Sequence, residues 1–524
     1  MCGIVGYTGW REAQPILINN LAKLEYRGYD SCGIALRGSA LTIMKDAVRV
    51  AELAKSLKPS QSTTGIGHTR WATHGPPSKI NAHPHPDCTG QIAVVHNGII
   101  NNYQKLRKQL SAEGHKFVSE TDTEVISHLV EKYFNGNLEE AVYAALKAIE
   151  GSYAIIVIAK NEPGLVFARK DSPLVIGVGD KEYFIASDVT AILEYTNRVI
   201  YLEDGDAGRL TPEDIKITHH GQPVKREEQK ILWTAEQAQK GGYEHYMLKE
   251  IHEQPRVIRE MLAEYLAVRK TWADFNSLYG EAKTILMLAC GTSYHAAMIG
   301  KYVTEKLLNI SVRLEMASEF NYLSKTPFSP LTIGITQSGE TADTLKALRR
   351  AKEAQSKVLV ITNVVGSTAS KLSDYTLYTR AWPEISVAAT KSFIAQLAAI
   401  YWLALSQLDD TTLSDDLISE FRQLPSKVQE VLDLEDIIVR SANKLAGYEN
   451  VFFVGRGLNY PVVMEGALKL KEISYIHSEA FAAGEIKHGP FALLSPKTPV
   501  IAIVMRDNCH DAMLTTIKEI RARG

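Results

Sequence analysis

Residues 1–7 read MCGIVGY and place a cysteine directly after the first methionine, at the start of an apolar run that predicts a strand. Methionine is normally removed when the second residue is small, so the processed chain would begin with Cys2 and a free α-amino group. The reference pKa is about 8 for an α-amino group and about 8.5 for a thiol. The amine can therefore take the thiol proton and return it to a leaving group, as in N-terminal nucleophile enzymes. The alternative is a small, buried and inert cysteine.

The bulk composition indicates a large enzyme without a charged partner. The chain has 524 residues, which predicts about three domains. Its 58 basic and 60 acidic residues and a pI near 6.7 argue against nucleic-acid or anionic-membrane binding. The five cysteines are widely spread and form no CxxC pair, which argues against a disulfide framework and fits a reducing, cytoplasmic location. They are Cys2, Cys32, Cys88, Cys290 and Cys509.

Neither export nor membrane insertion is expected. The N-terminal residues carry no basic region before their apolar stretch, unlike a secretory signal. The longest apolar candidate, residues 393–405 (FIAQLAAIYWLAL), is too short to cross a bilayer and predicts a buried core helix.

Residues 1–240 predict a mixed domain in which helices cover two sheets. Short β-branched or apolar runs bounded by turn residues predict strands, and amphipathic patterns between them predict helices. The strand patterns are 2–7, 32–38, 91–98, 152–160, 164–170, 174–180 and 182–187, and the helical patterns are 13–28, 101–114, 123–134 and 138–151.

Three loops in this region place polar groups where an amino-acid substrate needs them. GHTRWATHG (67–75) predicts an irregular segment after a strand, and its Arg70 could clamp an α-carboxylate. The dipeptide Asn97-Gly98 predicts a turn at a strand end that aims an amide and a backbone N–H at a developing oxyanion. Asp122 precedes a helix and could accept a substrate ammonium. A surface arginine, a hairpin turn and a helix N-cap are the ordinary alternatives.

Together these motifs resemble the glutaminase domain of class II amidotransferases. MCGIVGY, YRGYDSCGIA, GHTRWATHG, HNGII and SETDTE follow one another within the first 124 residues. The resemblance implies an N-terminal nucleophile αββα sandwich with Cys2 as nucleophile on the glutamine amide. It also implies an oxyanion hole from Asn97 and the Gly98 amide. Arg70 and Asp122 would hold the amino-acid end, Thr73 and His74 would line the glutamine pocket, and Trp71 would gate ammonia.

The histidine-rich segment NAHPHPD raises the question of a metal site. His83 and His85 follow His68 and His74, but prolines interrupt them. Helical HxxxH or HExxH spacing does not accompany them. We therefore expect neither a metal nor a cofactor.

After residue 240 the pattern changes to parallel α/β. Residues 241–270 predict a helical linker, residues 271–430 a first domain and residues 431–524 a second. Apolar strands at 284–290, 331–336 and 357–363 alternate with helices longer than ten residues. Ligands in such sheets bind beyond the carboxyl ends of the strands.

An internal repeat with an offset of 166 residues indicates two copies of one fold. ACGTSY at Ala289–Tyr294 corresponds to GRGLNY at Gly455–Tyr460. At the same offset Met298 meets Met464, and ASEF from residue 317 meets AGEI from residue 483.

The first copy carries two hydroxyl-bearing loops at predicted helix starts. TQSGETADT (336–344) follows a strand, so its backbone N–H groups and the hydroxyls of Ser338 and Thr341 suit an anion. CGTS (290–293) makes a second such turn. Because no GxxxxGK motif accompanies them, nucleotide hydrolysis is disfavoured. Two simple N-caps are the alternative.

The second copy carries charged residues instead, in EGALKLKEISYIHSEAFAAGEIKHGP (465–490). Lys469 and Glu472 share one helical face, and His488 lies in a glycine-flanked loop. A carboxylate near C1 and C2 of a sugar can move a proton between them, and a histidine can assist ring opening. A surface helix with an i, i+3 salt bridge is the alternative.

These segments, with TSYHAAMI (292–299) and EISVAATKSF (384–393), resemble paired sugar isomerase domains. Joined to the glutaminase, the whole chain resembles the isomerizing glutamine–fructose-6-phosphate aminotransferase family, the glucosamine-6-phosphate synthases. The resemblance implies two doubly wound parallel α/β domains, with glutamine and fructose 6-phosphate as substrates. A homodimer is also expected, because duplicated α/β units commonly bury apolar helices against a second subunit. The resemblance also implies Glu472 as the isomerising group, completed by Lys469 and His488. The implied sugar-phosphate contacts are Thr292, Ser293, Thr336, Gln337, Ser338, Thr341, Val387 and Ala388.

The second copy departs from the family pattern. By the arithmetic of the repeat, it is roughly 50 to 60 residues shorter than the first. Family members end in a tail whose lysine forms a Schiff base with fructose 6-phosphate, and no residue of this sequence can be assigned that role. The alternative function is therefore a truncated form that keeps only glutaminase activity and sugar-phosphate binding.

Overall fold

The computed structural model describes residues 2–25, 28–231, 240, 242–267, 279, 282–326, 329–408 and 411–523. The chain divides into two compact units, Met1–Gln239 and Lys240–Gly524, which we call the N-terminal and C-terminal units. The predicted helical linker at 241–270 falls partly outside the described residues. Its described part, residues 242–267, contains a helix that packs into the C-terminal unit.

The N-terminal unit contains fifteen described strands, five described α-helices and a short 3-10 helix at Val189–Ala191. The strands are β1 (Gly3–Thr8), β2 (Ser31–Arg37), β3 (Leu41–Asp46), β4 (Thr64–Arg70), β5 (His85–Pro86), β6 (Ile92–Ile100), β7 (Gly151–Ala159), β8 (Leu165–Lys170), β9 (Val175–Val178), β10 (Tyr183–Ala186), β11 (Arg198–Tyr201), β12 (Asp206–Leu210), β13 (Ile215–His219), β14 (Gln222–Pro223) and β15 (Gln229–Lys230). The helices are α1 (Ala13–Leu24), α2 (Val50–Ser56), α3 (Tyr103–Ala112), α4 (Glu124–Tyr133) and α5 (Leu138–Ala148).

These elements form an αββα sandwich, which confirms the predicted fold. One sheet has the order β15-β11-β9-β10-β1-β4-β2-β3 and the other β14-β13-β12-β8-β7-β6-β5. Apolar side chains from both sheets, among them Ile4, Ile66, Val95 and Ile156, form the central core. Helices α1 and α2 cover the first sheet and α3–α5 cover the second. Because the central strands are covered on both faces, they appear in the sequence as continuous apolar runs.

All seven predicted strands and four predicted helices of this unit are present, but several strands were missed. Strands β3, β4 and β5, the short strands β11–β15 and helix α2 had no assignment. Glycines at 65 and 67 obscure the apolar pattern of β4, although every residue from Thr64 to Arg70 is buried. These glycines let Leu17 and Leu21 of α1 pack close to the sheet, where a Cβ would lie 2.7 and 3.0 Å from their methyl groups.

The C-terminal unit contains eight described strands, ten described α-helices and short 3-10 helices at Glu485–Lys487 and Pro490–Leu493. The strands are β16 (Thr284–Ala289), β17 (Ser311–Met316), β18 (Leu331–Ile335), β19 (Lys357–Thr362), β20 (Tyr375–Tyr378), β21 (Asn450–Gly455), β22 (His477–Ala482) and β23 (Val500–Ala502). The helices are α6 (Tyr246–Ala267), α7 (Gly291–Leu308), α8 (Ala317–Phe320), α9 (Ala342–Glu353), α10 (Thr368–Leu372), α11 (Lys391–Leu405), α12 (Thr411–Leu432), α13 (Glu435–Leu445), α14 (Asn459–Ser474) and α15 (His510–Arg521).

Two parallel sheets with helices on both faces confirm the predicted doubly wound architecture. The five-stranded sheet has the order β17-β16-β18-β19-β20, and the three-stranded sheet has the order β22-β21-β23. Helices α6, α7, α11 and α12 cover one face of the larger sheet, and α8 and α9 cover the other. The apolar segment at 393–405 lies in α11 and is a core helix, as predicted. Within the described residues, no helix is long and apolar enough to cross a membrane.

The repeat predicted from the sequence is present in the structure. Strands β16 and β21 begin and end 166 residues apart, and so do β17 and β22. In both sheets the first strand lies between the second and the third. The signature ACGTSY therefore occupies the same strand–turn–helix position as GRGLNY, at the carboxyl end of the first strand.

Candidate active sites

Cys2 lies beside Trp71 because of the register between two strands. Strands β1 and β4 are antiparallel, with Gly3 opposite Thr69, so the register places Cys2 opposite Arg70, the last residue of β4, and one residue short of Trp71. The Trp71 N–H donates to the Cys2 Sγ at 3.3 Å, and the Sγ lies 3.5 Å from the Trp71 carbonyl oxygen. The half-buried thiol is thus held by backbone groups at the end of a central strand.

The Asn97 side chain reaches Cys2 from the opposite sheet. Its amide nitrogen donates to the Cys2 carbonyl oxygen at 3.1 Å. Its amide oxygen lies 3.1 Å from the His68 Nε2, which is also 3.1 Å from the His96 carbonyl oxygen. Both neighbours are acceptors, so the His68 Nε2 carries the proton. Burial, together with the charge of Arg70, lowers the pKa of His68 to about 3 and keeps the ring neutral.

His68 is a positioning residue that sequence reasoning missed. It orients the Asn97 amide so that the NH₂ group faces Cys2. The available signal was its place in GHTR, two residues before Arg70 and hence on the same face of β4.

The prediction of a turn at Asn97-Gly98 is wrong, because the dipeptide lies inside β6. Pairing with β7 continues past it, with Asn97 opposite Ala154 and Gly98 opposite Tyr153. Gly98 has φ +134°, and a Cβ there would lie 2.1 Å from the Ser152 carbonyl oxygen. The glycine therefore permits a close strand contact within the sheet, rather than a chain reversal.

Arg70 is buried and binds the loop that follows it. The segment 67–75 is not wholly irregular as predicted, because β4 extends to Arg70 and only the part after it is irregular. The guanidinium donates to the carbonyl oxygens of Gly75 at 3.0 Å and Pro76 at 3.4 Å, and also to that of His74. Burial lowers the pKa of Arg70, and the charges of Cys2, Asp122 and Asp30 oppose that shift. The Arg70 guanidinium therefore lies close enough to Cys2 for the two groups to interact electrostatically.

Asp122 does not cap the helix that follows. Its Oδ2 accepts the Ile100 N–H at 2.8 Å, while α4 has Thr123 at its N-cap without a side-chain hydrogen bond. The other carboxylate oxygen lies 3.9 Å from the His74 Nδ1. The buried carboxylate therefore joins β6 to the loop that Arg70 holds.

The remaining predicted residues of this site lie on the same loop. The Thr73 hydroxyl is 3.4 Å from the His74 Nδ1, and the His74 ring meets Tyr103 edge-on with ring centroids 5.3 Å apart. Trp71 is 44% exposed and meets Tyr29 edge-on at 5.5 Å. The sandwich thus brings together side chains that are up to 120 residues apart in the sequence.

The histidine-rich segment packs as a cluster of buried rings. His83 stacks on His68 with ring centroids 4.0 Å apart, and His85 meets His83 at 4.7 Å. The His85 Nε2 lies 3.0 Å from the Thr121 hydroxyl. Burial, together with neighbouring imidazoles and basic groups, holds the pKa of both His83 and His85 well below the ordinary value.

In the C-terminal unit, a network of charged side chains joins the two repeats. The predicted pair on α14 forms, with the Lys469 Nζ 2.8 Å from the Glu472 Oε2. The Lys469 Nζ also lies 3.3 Å from the Glu465 Oε1 and donates to the Thr292 hydroxyl at 3.3 Å. Thr292 in turn donates to the Glu465 Oε1 at 2.9 Å. Thr292 from the first copy and Lys469 and Glu472 from the second are therefore neighbours.

Glu465 was missed by the sequence analysis and is the centre of this network. It is 5% exposed and also receives the His295 Nδ1 on its second oxygen, at 2.7 Å. Burial opposes ionisation, but the hydrogen bond from His295, the charge of Lys469 and the hydrogen bond from Thr292 together lower the pKa of Glu465. Its spacing from Lys469 and Glu472, at i, i+4 and i+7, places all three on one helical face and was the available signal.

The two hydroxyl-bearing loops follow β16 and β18, which are neighbouring strands, as predicted. The Ser338 Oγ accepts the Glu340 N–H at 3.1 Å, and the Thr336 Oγ accepts the Gly339 N–H at 3.3 Å. The Thr336 and Thr341 hydroxyls are 3.4 Å apart, and the Gln337 carbonyl accepts the Asn363 N–H at 3.0 Å. Thr341 is the N-cap residue of α9 without a side-chain capping bond. The loop is therefore ordered by its own hydroxyls.

Ser293, in the other loop, is part of helix α7 and is buried, with 8% exposure. Its hydroxyl accepts a hydrogen bond from Gln396 of α11 at 3.0 Å. Ser293 thus has a packing partner in addition to its predicted binding role.

Val387 and Ala388 lie on a loop held by the buried carboxylate of Glu250. Val387 is 54% exposed, whereas Ala388 is buried and its carbonyl accepts the Ser386 hydroxyl at 2.6 Å. The Ser386 N–H donates to the Glu250 carboxylate at 3.2 Å. Burial, together with the charge of Glu384, raises the pKa of Glu250 to about 6.

His488 is not joined to the other catalytic candidates. It is exposed in the turn that follows Glu485–Lys487. Among the described residues, no hydrogen bond or ion pair connects its ring to Lys469 or Glu472. The carboxylate and the lysine share a helix, whereas the histidine follows β22 on a separate loop.

Comparison with known proteins identifies the family. A SIS domain model matches residues 278–406 and 444–524, and a glutamine amidotransferase domain model matches residues 68–194. Proteins named glutamine–fructose-6-phosphate aminotransferase (isomerizing) are 47% identical in Clostridium tetani and 48% identical in Methanothermobacter thermautotrophicus. Both matches cover 100% of this chain, and 89% and 88% of those proteins respectively. The chain belongs to the isomerizing glutamine–fructose-6-phosphate aminotransferase family.

A solved structure of the same family also matches this chain. The C-terminal domain of glucosamine-fructose-6-phosphate aminotransferase from Francisella tularensis is 39% identical, with a TM-score of 0.53. The match covers 55% of this chain and 83% of that one. Membership of the aminotransferase family accounts for an αββα unit followed by two parallel α/β sheets in a single chain.

Proposed function

We propose that this chain aminates and isomerises fructose 6-phosphate to glucosamine 6-phosphate, with release of glutamate, as the first step of amino-sugar synthesis. The observation that carries the proposal is the match at 47% identity to relatives with this named activity over the whole of the chain. That match supports the full reaction over the alternative of an isolated glutaminase that only binds the sugar phosphate.

In the glutaminase step, the Cys2 Sγ attacks the side-chain amide carbon of glutamine. The α-amino group of the processed chain takes the thiol proton and delivers it to the departing nitrogen, so ammonia leaves and a thioester remains. Water then hydrolyses the thioester and releases glutamate. The Asn97 amide, 3.1 Å from the Cys2 carbonyl, and the Gly98 N–H would stabilise the oxyanion of both tetrahedral intermediates.

The loop beside Cys2 would hold the amino-acid end of glutamine. We assign the α-carboxylate to Arg70 and the α-ammonium to Asp122, with Thr73 and His74 as lining residues. Arg70 already binds three backbone carbonyls of the loop, so its role includes shaping the pocket wall. Trp71 would gate the departing ammonia, since its N–H contacts the Cys2 sulfur and its ring is partly exposed.

In the synthase step, ammonia adds to C2 of open-chain fructose 6-phosphate, and water leaves to form an imine. The Glu472 carboxylate then removes a proton from C1 and returns one to C2, while the O1 hydroxyl proton passes to the nitrogen, which converts the imine of the ketose into the 2-amino aldose. Lys469, 2.8 Å away, would orient that carboxylate for the transfer. His488 would assist ring opening.

The phosphate would bind to the hydroxyl-bearing loops at the carboxyl ends of β16 and β18, the usual ligand position in parallel sheets. The proposed contacts are Thr292, Ser293, Thr336, Gln337, Ser338, Thr341, Val387 and Ala388. We further propose residues 1–240 as the glutaminase domain, 241–270 as a linker, 271–430 and 431–524 as the two isomerase domains, and a cytoplasmic homodimer as the working form.

The test is to supply the full chain with glutamine and fructose 6-phosphate and to quantify glutamate and glucosamine 6-phosphate together. We expect both products in the wild type and neither in a Cys2→Ala variant. Glutamate formation without any amino sugar would reject the synthase proposal in favour of the glutaminase alternative. Formation of both products by the Cys2→Ala variant in the same amounts as by the wild type would reject Cys2 as the nucleophile.

A further inference from the structure

A second group of ligand-type side chains lies in the N-terminal unit and has no part in the proposed reaction. It consists of Cys88, His115, His128 and Glu131, whose four ligand atoms all lie within 4.8 Å of one another. No metal was expected from the sequence, where only His68, His74, His83 and His85 were considered as ligands. The four residues of this group are spread over 44 positions and lack a compact motif. The fold brings them together from the loop between β5 and β6, the segment after α3, and one face of α4.

The distances within this group suit a tetrahedral metal. The Cys88 Sγ lies 3.5 Å from the His128 Nδ1 and 3.8 Å from the His115 Nδ1. With Zn–S near 2.3 Å and Zn–N near 2.1 Å, a tetrahedral angle gives an S···N separation of about 3.6 Å. The Glu131 Oε2 lies 2.9 Å from the His115 Nδ1 and 3.1 Å from the His128 Nδ1, so a modest outward rotation of Glu131 makes room for an ion.

The surroundings of the group resemble the outer shell of a metal site. The Lys116 N–H donates to the Cys88 Sγ at 3.3 Å, as backbone groups do to metal-bound sulfur. Without an ion, burial and the neighbouring Glu131 carboxylate raise the pKa of the Cys88 thiol, although the Lys116 hydrogen bond opposes that shift. The second ring nitrogen of the buried His128 lies 3.7 Å from the Glu124 Oε1, the position of the carboxylate that orients a metal-bound histidine. A hydrogen-bonded polar cluster is the simpler explanation, but it does not require a sulfur atom within reach of both imidazoles.

We propose that Cys88, His115, His128 and Glu131 bind one Zn²⁺ ion. One thiolate, two neutral imidazoles and one carboxylate fill the four positions, so the site is closed and structural rather than catalytic. Binding releases the thiol proton to solvent, and the histidines bind through Nδ1 in their neutral form. Soft thiolate with imidazole selects zinc over magnesium or calcium.

The ion would fix the segment that leads to the glutamine pocket. His115 is seven residues before Asp122, and the N–H groups of Val118 and Ser119 between them bind the Glu124 carboxylate. Zinc would therefore anchor one end of a segment whose other end carries a proposed substrate contact.

The experiment uses the full chain in a Cys2→Ala background, so that the nucleophile cannot contribute a ligand. Chelator-treated protein is titrated with Zn²⁺ against a chromophoric competitor, and bound zinc is counted by mass spectrometry. We expect about one zinc per chain, and loss of at least tenfold in affinity in Cys88→Ser. The Cys2→Ala protein is the parent of both variants. The matched control, Cys509→Ser, changes a cysteine of the C-terminal unit and should bind zinc as tightly as this parent.

Cobalt provides a second measurement that does not depend on activity. Co²⁺ bound to the parent and to Cys509→Ser should give a thiolate-to-metal charge-transfer band that is absent from Cys88→Ser. The proposal is overturned if the parent binds no zinc in competition, or if Cys88→Ser keeps both the stoichiometry and the charge-transfer band. Folding of each variant is checked by circular dichroism, and His115→Gln serves as the second ligand variant.

Discussion

The two proposed active sites hold their polar side chains in different ways. Around Cys2 the contacts are mainly backbone hydrogen bonds and neutral rings, with His68 orienting Asn97 and buried histidines stacked behind it. Around Glu472 the contacts are ion pairs within α14, and hydrogen bonds from Thr292 and His295 to Glu465 that link α7 to α14. We therefore expect changes near Cys2 to act through geometry, and changes near Glu472 to act through charge and through the contact between repeats.

Glu472→Gln should produce the largest difference between the activities of the two sites. Loss of the proton-transferring carboxylate should lower glucosamine 6-phosphate formation by about a thousandfold. Glutamate release should fall far less, because Cys2 lies in the other unit. Both products are measured in one assay.

Glu479→Gln is the matched control for this change. Glu479 lies in β22 of the same unit, 4.0 Å from the His477 Nε2, and has no proposed role. Equal activity of Glu472→Gln and Glu479→Gln would remove Glu472 from the mechanism.

Asn97→Ala should lower the kcat of glutamine hydrolysis by about a hundredfold, with a smaller change in KM. The amide would stabilise charge that develops in the transition state rather than the bound substrate. Steady-state kinetics with glutamine measures the two constants separately. A rise in KM at constant kcat would show instead that Asn97 binds the ground state.

Glu465→Leu should destabilise the C-terminal unit, because it leaves His295, Lys469 and Thr292 without their shared acceptor. Removing one member of a buried charged group typically costs about 3 kcal/mol in the free energy of unfolding. Urea unfolding of the C-terminal unit, followed by pulse proteolysis, measures this change.

The effect should depend on pH in a defined direction. Because the pKa of Glu465 is lowered in the folded state, its contribution is present above the ordinary carboxyl pKa and is lost as the pH falls through the folded value. The free energies of unfolding of Glu465→Gln and of the wild type should therefore become equal at low pH. A difference that stays constant across the acid range would contradict the proposed ionisation.

The smallest predicted effect concerns the buried histidines near Cys2. Their pKa values are lowered by burial, so they bind protons in the unfolded chain before they do so in the folded one. Stability is then complete above about pH 6.5 and declines as the pH falls. His83→Phe should reduce that decline by about 1.4 kcal/mol per pH unit, the contribution of one proton.

Phe at position 83 keeps an aromatic ring against His68, so packing changes little. The measurement is urea unfolding of the N-terminal unit between pH 5 and pH 7, again resolved by pulse proteolysis. Parallel profiles for the wild type and His83→Phe would show that His83 titrates normally.

Much of the fold was predictable because periodicity and repetition are local signals. The sandwich strands and the parallel strands appear as apolar runs. The 166-residue repeat predicts that the two parallel sheets share one fold, and three strands do have the same order in both. Strand β4 was missed because its glycines interrupt the apolar pattern, and Asn97-Gly98 was taken for a turn because strand pairing with β7 overrides its turn propensity.

Contacts made only by tertiary packing could not be predicted. His68 reaches Asn97 because β4 and β6 lie in facing sheets, and Glu465 joins His295 because helices from different repeats meet. The ligand group around Cys88 is a further example, since its members come from three separate segments. The residue type determines the chemistry of each side chain, whereas tertiary packing determines which other side chains it contacts.

The central claim is that nitrogen released at Cys2 is incorporated into the amino sugar. The most direct test supplies glutamine labelled with ¹⁵N at the side-chain amide, with fructose 6-phosphate and an excess of unlabelled ammonium, and measures the isotope in glucosamine 6-phosphate by mass spectrometry. Predominantly ¹⁵N product from the wild type, and no ¹⁵N product from Cys2→Ala, is the predicted result. Glutamate release accompanied by unlabelled amino sugar, or by no amino sugar, would contradict the account.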